Sequence, residues 1–232
     1  MAGPAALAAL QEVARGAPPR VGDTGERLLP VVSTLAALLP EAGLRRGTTI
    51  VVTGSTSLLL TLLRGPSQAG AWCAVVGFAQ LGALAAAEAG IALERLALVP
   101  VPGQRWPVVV AALLDAMDVV VVRPPARSRP ADGRRLTARA RERGAVLVAV
   151  DGWEGADLRV AAVERRWDGL GAGHGQVCAP NLLVEVSGRG AARRPRRAWL
   201  AGAGAPPAAA PPAVEAGGTV PAVVRALPVE VA

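Results

Sequence analysis

The chain has 232 residues, a formal net charge of +7 and 52% hydrophobic residues, which suits one compact domain with tails. Arginine alone carries the positive charge, and the two cysteines, Cys73 and Cys178, form no CxxC pair. This spacing argues against a disulfide framework and a metal knuckle, and it fits a reducing cytosol. The N-terminus lacks the basic region of a secretory signal, and glycines and polar residues interrupt the long uncharged stretches, so neither export nor a membrane span is predicted.

The two ends of the chain are rich in Ala, Gly and Pro. Residues 1–25 are predicted to form a flexible N-terminal segment. Helical spacing then appears in "ERLLPVVSTLAALLP", where Pro30 limits the first turn and Pro40 marks the end of the predicted helix. Residues 201–232 have too little large apolar surface to offset their ordering entropy, so they are predicted to be a disordered tail. The predicted domain therefore spans 26–200.

From Thr48 onward, apolar runs of strand length alternate with helical patterns. Strands are predicted at "TIVVTG", "AWCAVVGF", "RLALVPV", "DVVVVRPP" and "AVLVAVDG". Val, Ile and Leu runs separated by helices are typical of a mostly parallel sheet buried on both faces, so the predicted class is α/β. After Asp157 the segments "DLRVAAVERRWDGL", "QVCAPNLLVEVSGRG" and "RRPRRAWL" predict antiparallel strands added at one sheet edge.

The segment "IVVTGSTSLLL" places a glycine and hydroxyl residues directly after a hydrophobic strand, as a phosphate-binding loop does. A working loop reads GxxxxGK[ST], in which the lysine neutralises phosphate charge and the hydroxyl holds Mg²⁺. Here Gly54, Ser55, Thr56 and Ser57 are followed by leucines, and the second glycine and the lysine are missing. The favoured interpretation is a strand-to-helix turn with Ser/Thr capping, and weak ATP binding through backbone amides is the alternative.

Other parts of an ATPase are missing as well. Hydrolysis needs a carboxylate for Mg²⁺ after a hydrophobic strand and a base that positions water. "DVVVVRPP" ends in Arg123 where that acid should stand, and "CAVVGFAQLG" has no acid at its strand end. Arg64, about two helical turns beyond Ser57, is interpreted as a solvated helix residue. The sequence therefore predicts a pseudo-ATPase with no catalytic residues and no cofactor.

The order of elements resembles the RecA-like core, and more closely the ImuA-type accessory proteins of bacterial translesion mutagenesis. "GLRRGTTIVVTG" resembles the segment that leads into the RecA phosphate loop, and "AWCAVVGFAQLGALAAAEAGIALERLALVPV" resembles the next RecA segment. "AMDVVVVRPP" takes the Walker B place, and the resemblance covers Leu44 to Leu200. The two loops that contact DNA in active RecA-like proteins shrink here to "RPPARSRPADG" and "DGWEGAD", which argues against filament formation and strand exchange.

The resemblance implies a RecA-like fold and a non-hydrolysing accessory protein of DNA damage tolerance. It implies a Y-family polymerase-like protein and a replication complex as partners, DNA as a further partner, and a cytoplasmic or nucleoid-associated location. Two alternatives stay open. One is a RecA/KaiC-type protein that retains ATP through its degenerate loop, and the other is a plain DNA-binding module.

The densest positive cluster is "GRGAARRPRR", Gly188 to Arg197, which is called the arginine run below. The candidate contact residues there are Arg189, Arg193, Arg194, Arg196, Arg197 and Trp199. Arginines bind phosphates through counterion release, and arginine beside an aromatic residue is frequent in protein hot spots. We expect the run and the closing strands to contact a protein partner first and DNA second, with a solvated hairpin loop as the alternative.

A few other polar residues have ordinary structural interpretations. His174, the only histidine, is predicted to lie at an exposed hairpin tip, which leaves no histidine-based metal site. Asp115 and Asp118, three residues apart, are interpreted as a solvated helix end. Asp151 is expected to form a turn with the glycine that follows it, and Cys73 to act as a small core hydrophobe.

Overall fold

The computed structural model describes residues 27–167 and 180–203. The predicted N-terminal segment and residues 204–232 of the predicted tail lie outside the described residues, as do His174 and Cys178. The domain continues past its predicted end at 200. Ala203 is buried, and its N–H donates to the Pro180 carbonyl oxygen over 3.0 Å.

The first described elements are strand β1 (Leu28–Pro30), helix α1 (Ser33–Leu38) and strand β2 (Gly43–Arg45). β1 and β2 pair antiparallel in a sheet of two strands. The helix predicted around Pro30 therefore begins later than expected, and its first part is a strand. The physical reason is that a proline disfavours helical backbone at the residue before it.

A second sheet of eight strands forms the body of the domain. Its strands are β3 (Thr49–Thr53), β4 (Cys73–Val76), β5 (Leu96–Val99), β6 (Val119–Val122), β7 (Val146–Val150), β8 (Leu158–Arg166), β9 (Asn181–Gly188) and β10 (Arg196–Leu200). The order across the sheet is β10-β9-β8-β3-β7-β6-β4-β5. The predicted α/β class, with a mostly parallel sheet and antiparallel strands at one edge, is confirmed.

One detail of the edge differs from the prediction. β8 pairs in parallel with β3, and only β9 and β10 add antiparallel pairings. The alternating pattern of β8 resembles that of an antiparallel strand because only one of its faces packs on the core.

Four helices follow strands of the main sheet. They are α2 (Thr56–Gln68), α3 (Ala83–Glu88), α4 (Trp106–Ala116) and α5 (Pro130–Arg143). Leucines of α2 pack on one sheet face with α1, and α4 and α5 pack on the other face. The valines of β6 are fully buried because both of their faces are covered.

Asp118, at the start of β6, corrects the solvated interpretation. The residue is fully buried, and its Oδ1 accepts from Arg46 Nη1 at 2.8 Å. Its Oδ2 accepts from the Trp72 backbone N–H at 2.9 Å. Asp115 points elsewhere and pairs with Arg139 and Arg143 on the surface. Asp118 is therefore a structural anchor between β2, β4 and β6, and the two carboxylates form no pair.

Two further expectations have clear outcomes. Cys73 is fully buried in β4, and burial raises the pKa of its thiol from the ordinary 9.0 to about 12. It is therefore a neutral core residue, as predicted. Arg64 is not simply solvated, because its Nε donates to the Ala89 carbonyl oxygen at 2.8 Å and ties α2 to the end of α3. Among residues 27–167 and 180–203, no helix is both long and apolar enough to cross a membrane.

Candidate functional site

A cleft of about 360 Å³ opens at the carboxyl ends of the parallel strands, where open α/β sheets place their ligands. Its floor is the turn between β3 and α2, and its walls are the chain segments after β4, β6 and β7, with part of β8. The lining residues that carry polar groups are Gly54, Ser55, Thr56, Arg123, Asp151 and Arg165. This is the position of the phosphate loop in the sequence analysis.

The β3–α2 turn has the capping geometry predicted for it. Ser55 has extended backbone, and its Oγ accepts from the Leu58 N–H at 3.3 Å. Gly54 has a φ of +86°, and a Cβ added to it would lie 2.5 Å from the Ala162 carbonyl oxygen. Gly54, Ser55 and Thr56 line the cleft, while the Ser57 carbonyl accepts from the Thr61 hydroxyl. The glycine is thus required by the approach of β8.

Arg123 follows β6 and lines the cleft. Its guanidinium carbon lies 4.1 Å from the centre of the Phe78 ring, a cation–π distance. Its Nε lies 3.7 Å from Asp151 Oδ2, a loose ion pair between two partly exposed side chains. Asp151 has a φ of +71° at the predicted turn. The place of a magnesium-binding acid therefore holds a positive charge fixed by stacking.

Arg165 lies on β8, next to the antiparallel pair of strands β9 and β10, and lines the same cleft. Its guanidinium Nη2 donates to the Gly54 carbonyl oxygen at 3.2 Å. Of the described residues that line the cleft, two are arginines, Arg123 and Arg165, and one, Asp151, has a carboxylate. Such a lining attracts anions and repels cations.

Mg²⁺ with ATP is the cofactor that the fold family implies, and the residues of the cleft do not fit it. Mg²⁺ binds oxygen ligands, usually one or two carboxylates with phosphate oxygens. Here Arg123 stands in the Walker B place, and Asp151 already faces its guanidinium. Among the residues that the structure describes, no three His, Cys, Asp or Glu side chains group to hold a metal ion.

The arginine run lies at the other end of the sheet. Gly188 pairs with Leu158, and Leu158 pairs with Ile50 at the start of β3. The cleft lies beyond the end of β3, so at ~3.3 Å per residue the two sites are on the order of 15 Å apart along the strands. The phosphate-loop residues and the arginine run therefore do not form one site.

The candidate contact residues of the arginine run and Trp199 lie in different places along β10 and the turn before it. Arg189, Arg193, Arg194 and Arg196 are exposed around the turn between β9 and β10. Arg197 sits opposite Glu185 on β9, and its Nε donates to that carboxylate at 2.6 Å. Trp199 lies at the far end of β10, 38% exposed, opposite Leu183.

Sequence reasoning missed Arg165 and Arg166. The Arg166 guanidinium carbon lies 4.3 Å from the centre of the Trp199 ring. Alternation along β8 is broken by a bulge between Ala162 and Glu164, so the faces of the two arginines could not be counted from the strand pattern. The usable signal was the pair of adjacent arginines next to Trp167, at the end of the strand.

The comparisons with known proteins agree on fold and family. A family profile described as the MT3502 N-terminal domain matches residues 37–155. The uncharacterized protein Rv3395c of Mycobacterium tuberculosis is 39% identical over 161 residues, which cover 67% of this chain and 72% of that protein. The crystal structure of the RadB recombinase superposes with a TM-score of 0.54 and 13% identity, covering 75% of this chain and 94% of that chain. The fold is therefore RecA-like, and the chain belongs to the family of the MT3502 N-terminal domain.

Proposed function

We propose that the protein is a non-hydrolysing RecA-like accessory protein of DNA damage tolerance. In this role it is an adaptor for a Y-family polymerase-like partner in translesion mutagenesis. The observation that carries the proposal is Arg123, a cation stacked on Phe78 in the Walker B place of a RecA-like sheet. The ImuA-type sequence segments support the choice of pathway and partner.

The cleft chemistry supports the absence of hydrolysis. Phosphoryl transfer depends on a lysine and Mg²⁺ that neutralise charge on the transferred group. In this chain the loop has no lysine, and Arg123 with Phe78 takes the space of the metal-binding acid. Arg123 and Arg165 can attract an anion but cannot supply a base that activates water.

The first expected result is that the purified protein releases no phosphate from ATP above background, with or without single-stranded DNA. Phosphate release with Mg²⁺ present is the measurement, and turnover near ~1 per second would contradict the proposal. Thermal melting with ATP separates the nucleotide-binding alternative. A ligand at 100 times its Kd adds about 2.7 kcal/mol of stability, roughly 5–10 °C for a domain of this size. We expect no such shift.

The partner contact is assigned to the arginine run and the outer edge of β10. In the order of the described strands, β10 is terminal, so its outer backbone edge is not paired with a described strand. Exposed arginines flank this edge at Arg193, Arg194 and Arg196. An unpaired edge offers backbone hydrogen bonds to a partner strand, and arginine forks pair with partner carboxylates.

The second expected result concerns this edge. Replacing Arg193, Arg194, Arg196 and Arg197 together by Ala should weaken capture of the polymerase-like partner and leave the melting temperature unchanged, because exposed ion pairs add little stability. A pull-down with the purified partner measures it. The control is the double change Arg134→Ala and Arg135→Ala, which removes exposed arginines from α5. Undiminished capture by the quadruple variant would contradict the assignment.

A further inference from the structure

The strands β8, β9 and β10 form an extension of the sheet, and one face of it belongs to neither core cluster of residues 27–167 and 180–203. Its inward residues, such as Val160, Val184 and Leu200, pack in the core shared with α1 and α2. The alternate residues form the outer face, defined here as Arg159, Arg166, Leu183, Glu185, Arg197 and Trp199. None of these six belongs to either core cluster of the described residues. As far as the described part of the chain extends, the outer face is thus an uncovered sheet surface separate from the cleft.

An aromatic–arginine stack lies at one end of the outer face. Trp199 is 38% exposed, and the guanidinium carbon of Arg166 lies 4.3 Å from its ring centre. Glu164 Oε1 accepts from Arg166 Nε at 2.9 Å and fixes the guanidinium. Stacked aromatic and guanidinium planes are the surfaces on which unpaired bases stack in proteins that bind single strands.

The extension also concentrates the positive charge of the protein. Residues 158–167 and 181–200 contain eight arginines and two glutamates, a surplus of six positive charges. Both glutamates are already paired, Glu164 with Arg166 and Glu185 with Arg197. Arg159 on β8 and the exposed arginines of the turn after β9 continue the charge along the strands. This field is complementary to a chain of phosphates.

We propose that the outer face binds single-stranded nucleic acid. Bases stack on Arg166 and Trp199, and the phosphates lie towards Arg159 and the arginine run. A duplex does not suit this surface, because its bases are stacked on one another and cannot reach the indole. The inference goes beyond the adaptor role, since it gives the protein a second ligand on a sheet face that adjoins the β10 edge and shares the arginine run with it. The proposed surface is also distinct from the short loops after β6 and β7, which stand where active RecA-like proteins contact DNA.

The test is a titration of the full chain with fluorescently labelled oligothymidylate of about 20 nucleotides, longer than the ~4–16 nucleotides that one small binding domain covers. Trp199→Ala should weaken binding about 5- to 150-fold, whereas Trp199→Phe should retain most of the affinity. Arg159→Ala should lower the slope of log affinity against log salt by about 0.7, the value for one lost phosphate contact on a single strand. The Arg134→Ala, Arg135→Ala double variant should bind like the parent.

Inorganic polyphosphate separates stacking from charge, because it has phosphates and no bases. We expect Trp199→Ala to bind polyphosphate as the parent does. Unchanged oligothymidylate binding by Trp199→Ala, or an equal loss for polyphosphate, overturns the proposal. Loss of the polymerase-like partner with intact oligothymidylate binding also overturns it and assigns the face to protein. If Trp199→Ala has a lower melting temperature than the parent, the test uses Trp199→Phe and Arg159→Ala, because both variants keep an aromatic side chain at position 199. Retained affinity in Trp199→Phe and a reduced salt slope in Arg159→Ala are then the expected results, and the opposite of either overturns the proposal. The partner pull-down is independent, so failure here leaves the adaptor role standing.

Discussion

Asp118→Ala is expected to destabilise the domain by about 3–5 kcal/mol, the usual cost of removing one partner of a buried ion pair. The change leaves the guanidinium of Arg46, whose side chain is only 11% exposed, without its carboxylate. It also removes the acceptor of the Trp72 N–H next to the first residue of β4. For a domain of this size, the melting temperature should fall by roughly 6–20 °C.

Asp115→Ala is the matched control for this result, since it removes the same side chain three positions earlier. Asp115 is partly exposed and pairs with Arg139 and Arg143 at the surface. Partly exposed pairs contribute less than buried ones, so the melting temperature of this variant should fall clearly less than that of Asp118→Ala. Similar melting temperatures for the two aspartate variants would contradict the anchoring role of Asp118.

Gly54→Ala is expected to cost about 2–5 kcal/mol through two effects on the same residue. The φ of +86° disfavours any residue with a Cβ by about 1–2 kcal/mol, and overpacking adds about 1–3 kcal/mol. The added Cβ would lie 2.5 Å from the backbone oxygen of Ala162, which cannot move without shifting β8. Urea denaturation of the variant measures the loss.

The control for Gly54 is Gly152→Ala, where an added Cβ meets no atom within 4 Å. That variant should unfold at the parent's urea concentration. If Gly54→Ala did the same, the close approach of β8 would not be a constraint. The result also affects how loop variants are read. Loss of a function in Gly54→Ala would report a displaced β8, and it would not by itself demonstrate nucleotide binding.

Much of the fold could be predicted because its signal is local. Runs such as Val119–Val122 and Val146–Val150 are apolar on both faces, and together with the turn residues that bound them this favours strands covered on both sides. Arg123 could be recognised for the same reason, because a strand end and its next residue are adjacent in the sequence. Pro30 was harder, since a short strand and a helix start share the same apolar residues.

The parts of the site that could not be predicted depend on distant pairings. Arg46 and Asp118 are 72 residues apart, and neither local sequence pattern indicates that the two side chains will pair. Arg165 meets Gly54 from 111 residues away, through a register set by a bulge. Trp199 is separated from most of the arginine run because it lies at the far end of β10. The composition of the segment alone does not show where β10 begins and ends.

The position of β3 in the sheet has a consequence for synthesis of the chain. β3 lies between β7 and β8, so both of its partners are translated roughly 100 residues after it. At a translation rate of about 5–20 residues per second, the strand Thr49–Thr53 remains without a paired neighbour for on the order of 5–20 s after it is synthesised. During that interval the nascent chain presents an unpaired hydrophobic strand, which is a substrate for holding chaperones. Yield in cells should therefore depend on translation rate and chaperone supply as well as on the stability of the finished domain.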